Sequence, residues 1–231
     1  MKYPEFYEKI FAPRHKPVPA GALGRMRKRL ELDREQAVFR FLDGGGKFLD
    51  VGCGFGHLVF LATQKYREVH GTDISESRIS WNEAAAKNFD GANIYFKVSD
   101  MNQGIPYEDG YFNTVTCVAS LELPSDILKI IREFNRVLKP GGQLVLSISN
   151  AAYITRRIRA LFGQPPRISS ANDLIDGGVL HYYTLSSISR LLKHEGFIVV
   201  KVGNAGKLWF FRSWWQSLLA SGLVIKAVKT N

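Results

Sequence analysis

The chain has 231 residues, 45% hydrophobic and 23% charged, which is enough apolar content for one sizeable core and excludes a disordered, collagen-like or coiled-coil protein. Lys and Arg number 31 against 21 Asp and Glu, a formal net charge of +10 that favours an anionic small molecule, a membrane surface or nucleic acid as partner. Two cysteines, Cys53 and Cys117, are too few for a disulfide framework and too far apart for a Cys-x-x-Cys site, which fits a reducing, cytoplasmic setting.

The N-terminus mixes charges with aromatics and lacks the apolar run of a secretory signal. Residues 1–46 read as an N-terminal helical cap, with a helix predicted over 26–42 on the stripe Leu30, Leu32, Ala37, Val38, Phe41 and Leu42 and stopped by Asp43 and three glycines. Strands at 48–51, 69–72, 94–98, 114–119 and 144–148 then alternate with helices at 56–65, 76–87 and 125–138. That rhythm is the signature of βαβ units, hence an α/β fold with a parallel sheet and helices on both faces. A basic helix at 152–162 leads into a Pro/Ser/Gly-rich stretch without period, and long irregular connections of this kind are functional or mobile. A helix at 185–194 closed by Gly196, a strand at 197–202, one more helix and a strand at 223–228 finish the chain. No run of about 18 apolar residues occurs, so no membrane span is expected. The organisation expected is a single domain over 1–231, with 47–149 as its core, 150–183 as a lid or acceptor insertion and 184–231 completing the core.

The most informative segment is a strand running through Asp50 into Gly52-Cys53-Gly54-Phe55-Gly56 and then a helix. Glycines at such a turn permit positive φ and close approach of a ligand to the backbone, although a tight turn alone also requires them. The third glycine arrives one residue earlier than in the dinucleotide fingerprint, and Asp50 would repel a pyrophosphate but suit an ammonium group. Asp73 ends the next strand, where an acid accepts hydrogen bonds from ribose hydroxyls, and Asp100 follows the third strand, placed to meet a base amine. An ammonium, a ribose diol and an adenine amine in that order match S-adenosylmethionine better than a nicotinamide dinucleotide.

The chain here resembles the class I S-adenosylmethionine-dependent methyltransferases of small-molecule type. The likeness is carried by Leu49-Asp50-Val51-Gly52-Cys53-Gly54-Phe55-Gly56, Gly71-Thr72-Asp73-Ile74-Ser75, Ser99-Asp100-Met101-Asn102, Leu121-Glu122 and Arg136-Val137-Leu138-Lys139-Pro140-Gly141-Gly142, and covers about 47–149. It implies a Rossmann-like, seven-stranded, mostly parallel sheet with an antiparallel last strand and S-adenosyl-L-methionine across its carboxyl ends. In that frame Asp50, Gly52, Cys53, Gly54 and Gly56 hold the methionine part, Asp73 the ribose, and Asp100 with the Met101 backbone the adenine. Ile74 packs on the adenine face, and Ala119 and Ser120 floor the sulfonium. Two departures stand out: Asn113 replaces the family's Asp after the strand-four phenylalanine, and Leu123 replaces the His after Glu122.

Methyl transfer is an in-line displacement that needs a proton acceptor only for a hydroxyl or ammonium nucleophile. His181, in a segment similar to MetW-like and polysaccharide-cluster methyltransferases, is the candidate base, with capping of the following helix as the alternative; Tyr182 and Tyr183 are candidate pocket walls. The stretch 208–219 carries three of the four tryptophans and a wide apolar face that fits internal packing, a dimer or a membrane surface. The function expected is methyl transfer to a small-molecule, anionic, lipid- or sugar-linked acceptor. A non-catalytic MetW-like partner protein and an RNA methyltransferase remain as alternatives, the second weakened because Ala119-Ser120-Leu121-Glu122 lacks the Pro-Pro-aromatic motif that stacks a flipped base. The five histidines are scattered, and no metal site is expected.

Overall fold

The computed structural model describes residues 31–89, 91–168, 176–207 and 214–230. In chain order the elements are β1 (Glu31–Leu32), α1 (Arg34–Phe39), β2 (Lys47–Val51), α2 (His57–Ala62), β3 (Glu68–Asp73), α3 (Glu76–Ala86), β4 (Asn93–Val98) and β5 (Phe112–Val118). There follow α4 (Ile127–Val137), β6 (Leu138–Ser149), α5 (Ile154–Leu161), a 3-10 turn (Asp176–Gly178), α6 (Leu185–His194), β7 (Phe197–Lys207), α7 (Gln216–Leu219) and β8 (Gly222–Lys229).

The sheet runs β1-β7-β8-β6-β5-β2-β3-β4. Strands β4, β3, β2, β5 and β6 are mutually parallel, and β8 is antiparallel to both β6 and β7. This is the expected seven-stranded sheet, with β1 added antiparallel at the β7 edge. The chain builds outward from β2 to β4, then returns to the other side of β2 with β5. The order therefore reverses between β2 and β5, where the carboxyl ends of open α/β sheets form a ligand crevice.

Alternation along the strands feeds two cores. Leu49 and Val51 face Ile130, Ile131 and Phe134 of α4 and Ile188 and Leu192 of α6, whereas Phe48 faces Val38 of α1 and Leu58, Val59 and Ala62 of α2. Burial on both faces leaves β2, β5 and β6 with little exposed surface, so that even Asp50, Thr114 and Thr116 are buried.

Two expectations are corrected. The helix expected over 26–42 begins only at Arg34, because the Asp33 side chain accepts the Glu35 N–H as an N-cap and Glu31–Leu32 pairs with Gly206 and Lys207; residues 26–30 lie outside the described residues. The strand expected over 144–148 extends back to Leu138: pairing with β5 passes from Phe112–Leu138 to Thr114–Gln143, so residues 139–142 bulge out. Among the described residues no helix is long and apolar enough to cross a membrane.

Candidate functional site

At the carboxyl ends of β2, β3, β4 and β5 lies an open cleft lined by Gly52, Asp73, Ile74, Ser99, Asp100, Met101, Asn102, Ser120, Leu123 and Pro124. Gly52, at the start of the glycine loop, forms one side. The loop N–H groups at Gly52 and Cys53 both donate to the Thr72 carbonyl, and the Gly54 N–H donates to Asp73 Oδ2 at 2.9 Å. From the other flank Asn82 Nδ2 on α3 donates to the Gly54 carbonyl at 2.9 Å. The loop is thus fastened from β3 and α3, with φ of +74°, +56° and +69° at its three glycines. A Cβ on Gly52 would lie 2.5 Å from Ser120 Oγ, so the residue type is imposed by the approach of the β5 exit as well as by φ.

Asp73 ends β3 with its carboxylate also accepting the Ser75 N–H at 3.0 Å and ion-paired with Arg78 at 3.8 Å. Asp100 accepts from the Asn102 N–H and Nδ2, both at 2.9 Å. Asn102 in turn accepts from Ser125 and receives the Lys129 ammonium on its carbonyl, tying this rim to the start of α4. Behind it, Arg136 binds Glu133 and Asp109 and donates to the carbonyls of Ile105 and Tyr107, fixing the loop that returns to β5.

Of the residues singled out from sequence, Gly52, Asp73, Ile74, Asp100, Met101 and Ser120 come together as cleft lining. Asp50, Cys53, Gly54, Gly56 and Ala119 adjoin it without lining it. Asp50 is 2% exposed on β2 and accepts the Thr116 hydroxyl at 2.6 Å. Burial, with Glu35 and Asp73 as like-charged neighbours, pushes its carboxyl up to about 7. Burial likewise raises the thiols of Cys53 and Cys117, leaving them as core groups rather than nucleophiles. Ala119 is held at φ +53° immediately after β5, a left-handed conformation rare for alanine, which turns Ser120 beneath Gly52.

His181 does not line the cleft but is hydrogen-bonded to one of its lining residues. Its Nε2 donates to the carbonyl of Pro124, a lining residue, at 2.8 Å, and its N–H with that of Leu180 donates to the Glu122 carbonyl. The helix after it is capped by Thr184 in a capping box with Ser187, so His181 is not the cap. Tyr183 is buried and donates to the Leu121 carbonyl, whereas Tyr182 is exposed and donates to Asp176. Asn113 accepts the Lys47 N–H at 2.9 Å, so this departure supplies an acceptor that holds the start of β2. In the apolar stretch 208–219, residues 208–213 lie outside the described residues and Trp214 and Trp215 are exposed.

Sequence reasoning missed Ser99, Asn102, Leu123 and Pro124 as lining, and Asn82 and Glu35 behind the loop. Ser99 and Asn102 flank a recognised acid and were within reach; Asn82 sits mid-helix and carries no local signal.

The donor set suits an adenosyl sulfonium ligand: carboxylates at Asp73 and Asp100, a glycine crossing open on its Gly54 side, and apolar Ile74 and Met101 between them. A family model described as a methyltransferase domain matches residues 42–216. Over 200 residues the chain is 28% identical to a ubiquinone/menaquinone biosynthesis C-methyltransferase of Desulfotalea psychrophila, covering 78% of this chain and 80% of that one. A ubiquinone biosynthesis O-methyltransferase of Pseudomonas aeruginosa is 34% identical over 107 residues, which span 46% of this chain and 45% of that protein. A solved S-adenosylmethionine-dependent methyltransferase of Mesorhizobium loti superimposes with a TM-score of 0.66 at 19% identity, covering 85% of this chain and 98% of that one.

Proposed function

Since the chain belongs to the class I S-adenosylmethionine-dependent methyltransferases, we propose that it transfers the methyl group to a small, apolar or lipid-linked acceptor entering beside Leu123, Pro124 and His181. The observation that carries this reading is that one cleft is lined both by the carboxylates of Asp73 and Asp100 and by the apolar Leu123 and Pro124. Leu123, where the family has His, makes this lining less polar still. Names among the relatives that refer to quinone biosynthesis add support for an acceptor of this character.

When bound, S-adenosylmethionine supplies an electrophilic methyl on a sulfonium. In our reading Asp73 accepts the ribose hydroxyls, Asp100 and the Met101 backbone meet the adenine, and Ile74 packs on its face. The loop at Gly52, Cys53, Gly54 and Gly56 carries the methionine end, with Ala119 and Ser120 as floor. Asp50 acts on the ammonium from beneath the loop, by field rather than open contact, and the cation draws its carboxyl back to the ionised form. Within 150–183, Leu180 and His181, held to the Glu122 carbonyl, lie on the acceptor side in this reading. Nε2 of His181 already donates to Pro124, so a proton leaving the acceptor goes to Nδ1. Rate enhancement comes mainly from alignment of the acceptor against the methyl group.

The test is methyl transfer from S-adenosyl-(methyl-³H)-methionine to polyprenylated phenols, prenyl-free phenols and bulk RNA. Label on the prenylated phenol alone supports the reading; label on RNA alone, or on none with cofactor bound, contradicts it.

A further inference from the structure

Helix α5 is turned the opposite way from an ordinary surface helix. None of its residues is buried. At about 100° per residue Ile154, Ile158, Leu161 and Phe162 fall on one face, Arg157 and Arg159 on its two flanks, and Arg156 opposite. The Arg156 side points into the protein: its guanidinium donates to the carbonyls of Asn150 at 2.6 Å, Ser221 at 3.1 Å and Arg167 at 3.0 Å. The apolar face is therefore the outward one, and Leu161 and Phe162 are 84% and 79% exposed.

A second exposed apolar group stands on the same end of the sheet. Ser149 at the exit of β6 pairs with Gly222 at the entry of β8, and Asn150 Nδ2 donates to the carbonyls of Ser217 and Ala220, which ties α7 to the root of α5. Trp214, just before α7, is 91% exposed. Asn150 also bridges Tyr183, two residues from the His181 that hydrogen-bonds the cleft wall. The outward apolar helix, the tryptophans and the cleft mouth thus share one rim.

We propose that this rim is a docking surface for an anionic lipid bilayer, with Leu161, Phe162, Ile158 and Trp214 entering the headgroup boundary and Arg157 and Arg159 meeting lipid phosphates. The charge pattern decides for this occupant. A second copy of the chain would bring its own arginines and its share of a +10 net charge against these, whereas an anionic surface complements them. Tryptophan at the interface level and cations flanking an apolar stripe are the arrangement that lies in a membrane surface without spanning it.

The test is flotation of the purified chain with vesicles of phosphatidylcholine alone and of phosphatidylcholine with phosphatidylglycerol, with light scattering to follow oligomeric state. The wild type is expected to float with the anionic vesicles at least tenfold more than with neutral ones, less so at high salt. Leu161→Ser with Phe162→Ser should lose this binding at unchanged circular dichroism and melting temperature, since both side chains are exposed, and Arg157→Glu with Arg159→Glu should lose the anionic preference. No vesicle binding, binding indifferent to both pairs, or a dimer dispersed by the serine pair would overturn the proposal. The assay needs neither cofactor nor acceptor, so binding to vesicles without binding of S-adenosylmethionine would leave this surface standing while sinking the methyl-transfer reading.

Discussion

The carboxylate of Asp73 accepts the amide of Gly54 at 2.9 Å, so the acid assigned to the ribose also fastens the glycine loop. Any change at Asp73 therefore acts twice. Asp73→Asn, which keeps one oxygen as acceptor, should weaken S-adenosylmethionine binding at least tenfold, about 1.4 kcal/mol, and lower the melting temperature by a few degrees. Asp73→Ala should lose more of both. Calorimetric titration beside thermal unfolding separates the two effects, and a variant that melts lower yet binds normally would confine Asp73 to the loop.

Gly52 tests the crossing of the loop over Ser120. Gly52→Ala puts a Cβ 2.5 Å from Ser120 Oγ at φ +74° and should cost about 2–3 kcal/mol in denaturant unfolding, from overpacking plus left-handed strain. Adding Ser120→Gly removes the clash but not the strain, so the double variant should recover part of the stability and leave about 1 kcal/mol lost. Full recovery would show that the left-handed turn costs nothing here.

Asp50 gives a pH dependence of defined sign. Its carboxyl rises from an ordinary 3.8 to about 7 in the folded protein, so the native state binds more protons than the unfolded chain between those values. The associated stability is greatest below pH 3.8 and is lost as pH rises through 7. Glu35 is also raised to about 7, by burial and by Asp33, so Asp50→Asn should reduce the slope rather than abolish it. The variant is expected to gain stability over wild type at pH 8 and little at acid pH, read by urea unfolding across the range. Binding of the cationic cofactor should release a proton near pH 6, visible as a buffer-dependent enthalpy that Asp50→Asn removes.

At His181 the discriminating substitution is glutamine, whose side-chain N–H can keep the bond to the Pro124 carbonyl. If Nδ1 accepts the acceptor's proton, His181→Gln should reduce kcat by about 10²-fold or more with cofactor affinity unchanged. If the ring only joins the two chain segments, the glutamine variant should stay active and His181→Ala should fail in stability and activity together.

The site was legible where its signals are local. Asp50 lies one residue before the end of β2, Asp73 ends β3 and Asp100 follows β4, and a strand end is recognisable from the apolar run before it; the N-caps Ser75 of α3 and Thr184 of α6 were not read from sequence, although the helix starts beside them were. What stayed hidden depends on distant partners. Glu31–Leu32 has helical company in sequence but pairs with β7, some 175 residues on, and Leu138–Gln143 carries Pro and Gly turn signals although the strand merely bulges there. Asn82 looks like an ordinary polar helix residue, yet the loop above buries it completely. The amphipathic wheel of α5 can be drawn from sequence; that its Arg156 side faces inward depends on carbonyls of Asn150 and Ser221 that only the fold brings together.

In the proposed reading S-adenosylmethionine binds in the cleft between Gly52 and residues 99–102. Calorimetric titration of S-adenosylmethionine and S-adenosylhomocysteine into the wild type and Asp73→Ala tests it most directly. One-to-one binding with a Kd of roughly micromolar order, about −8 kcal/mol, is expected for the wild type and should be lost in a variant that remains folded. A folded wild type that binds neither ligand, or a variant that binds both as tightly as the parent, would contradict it.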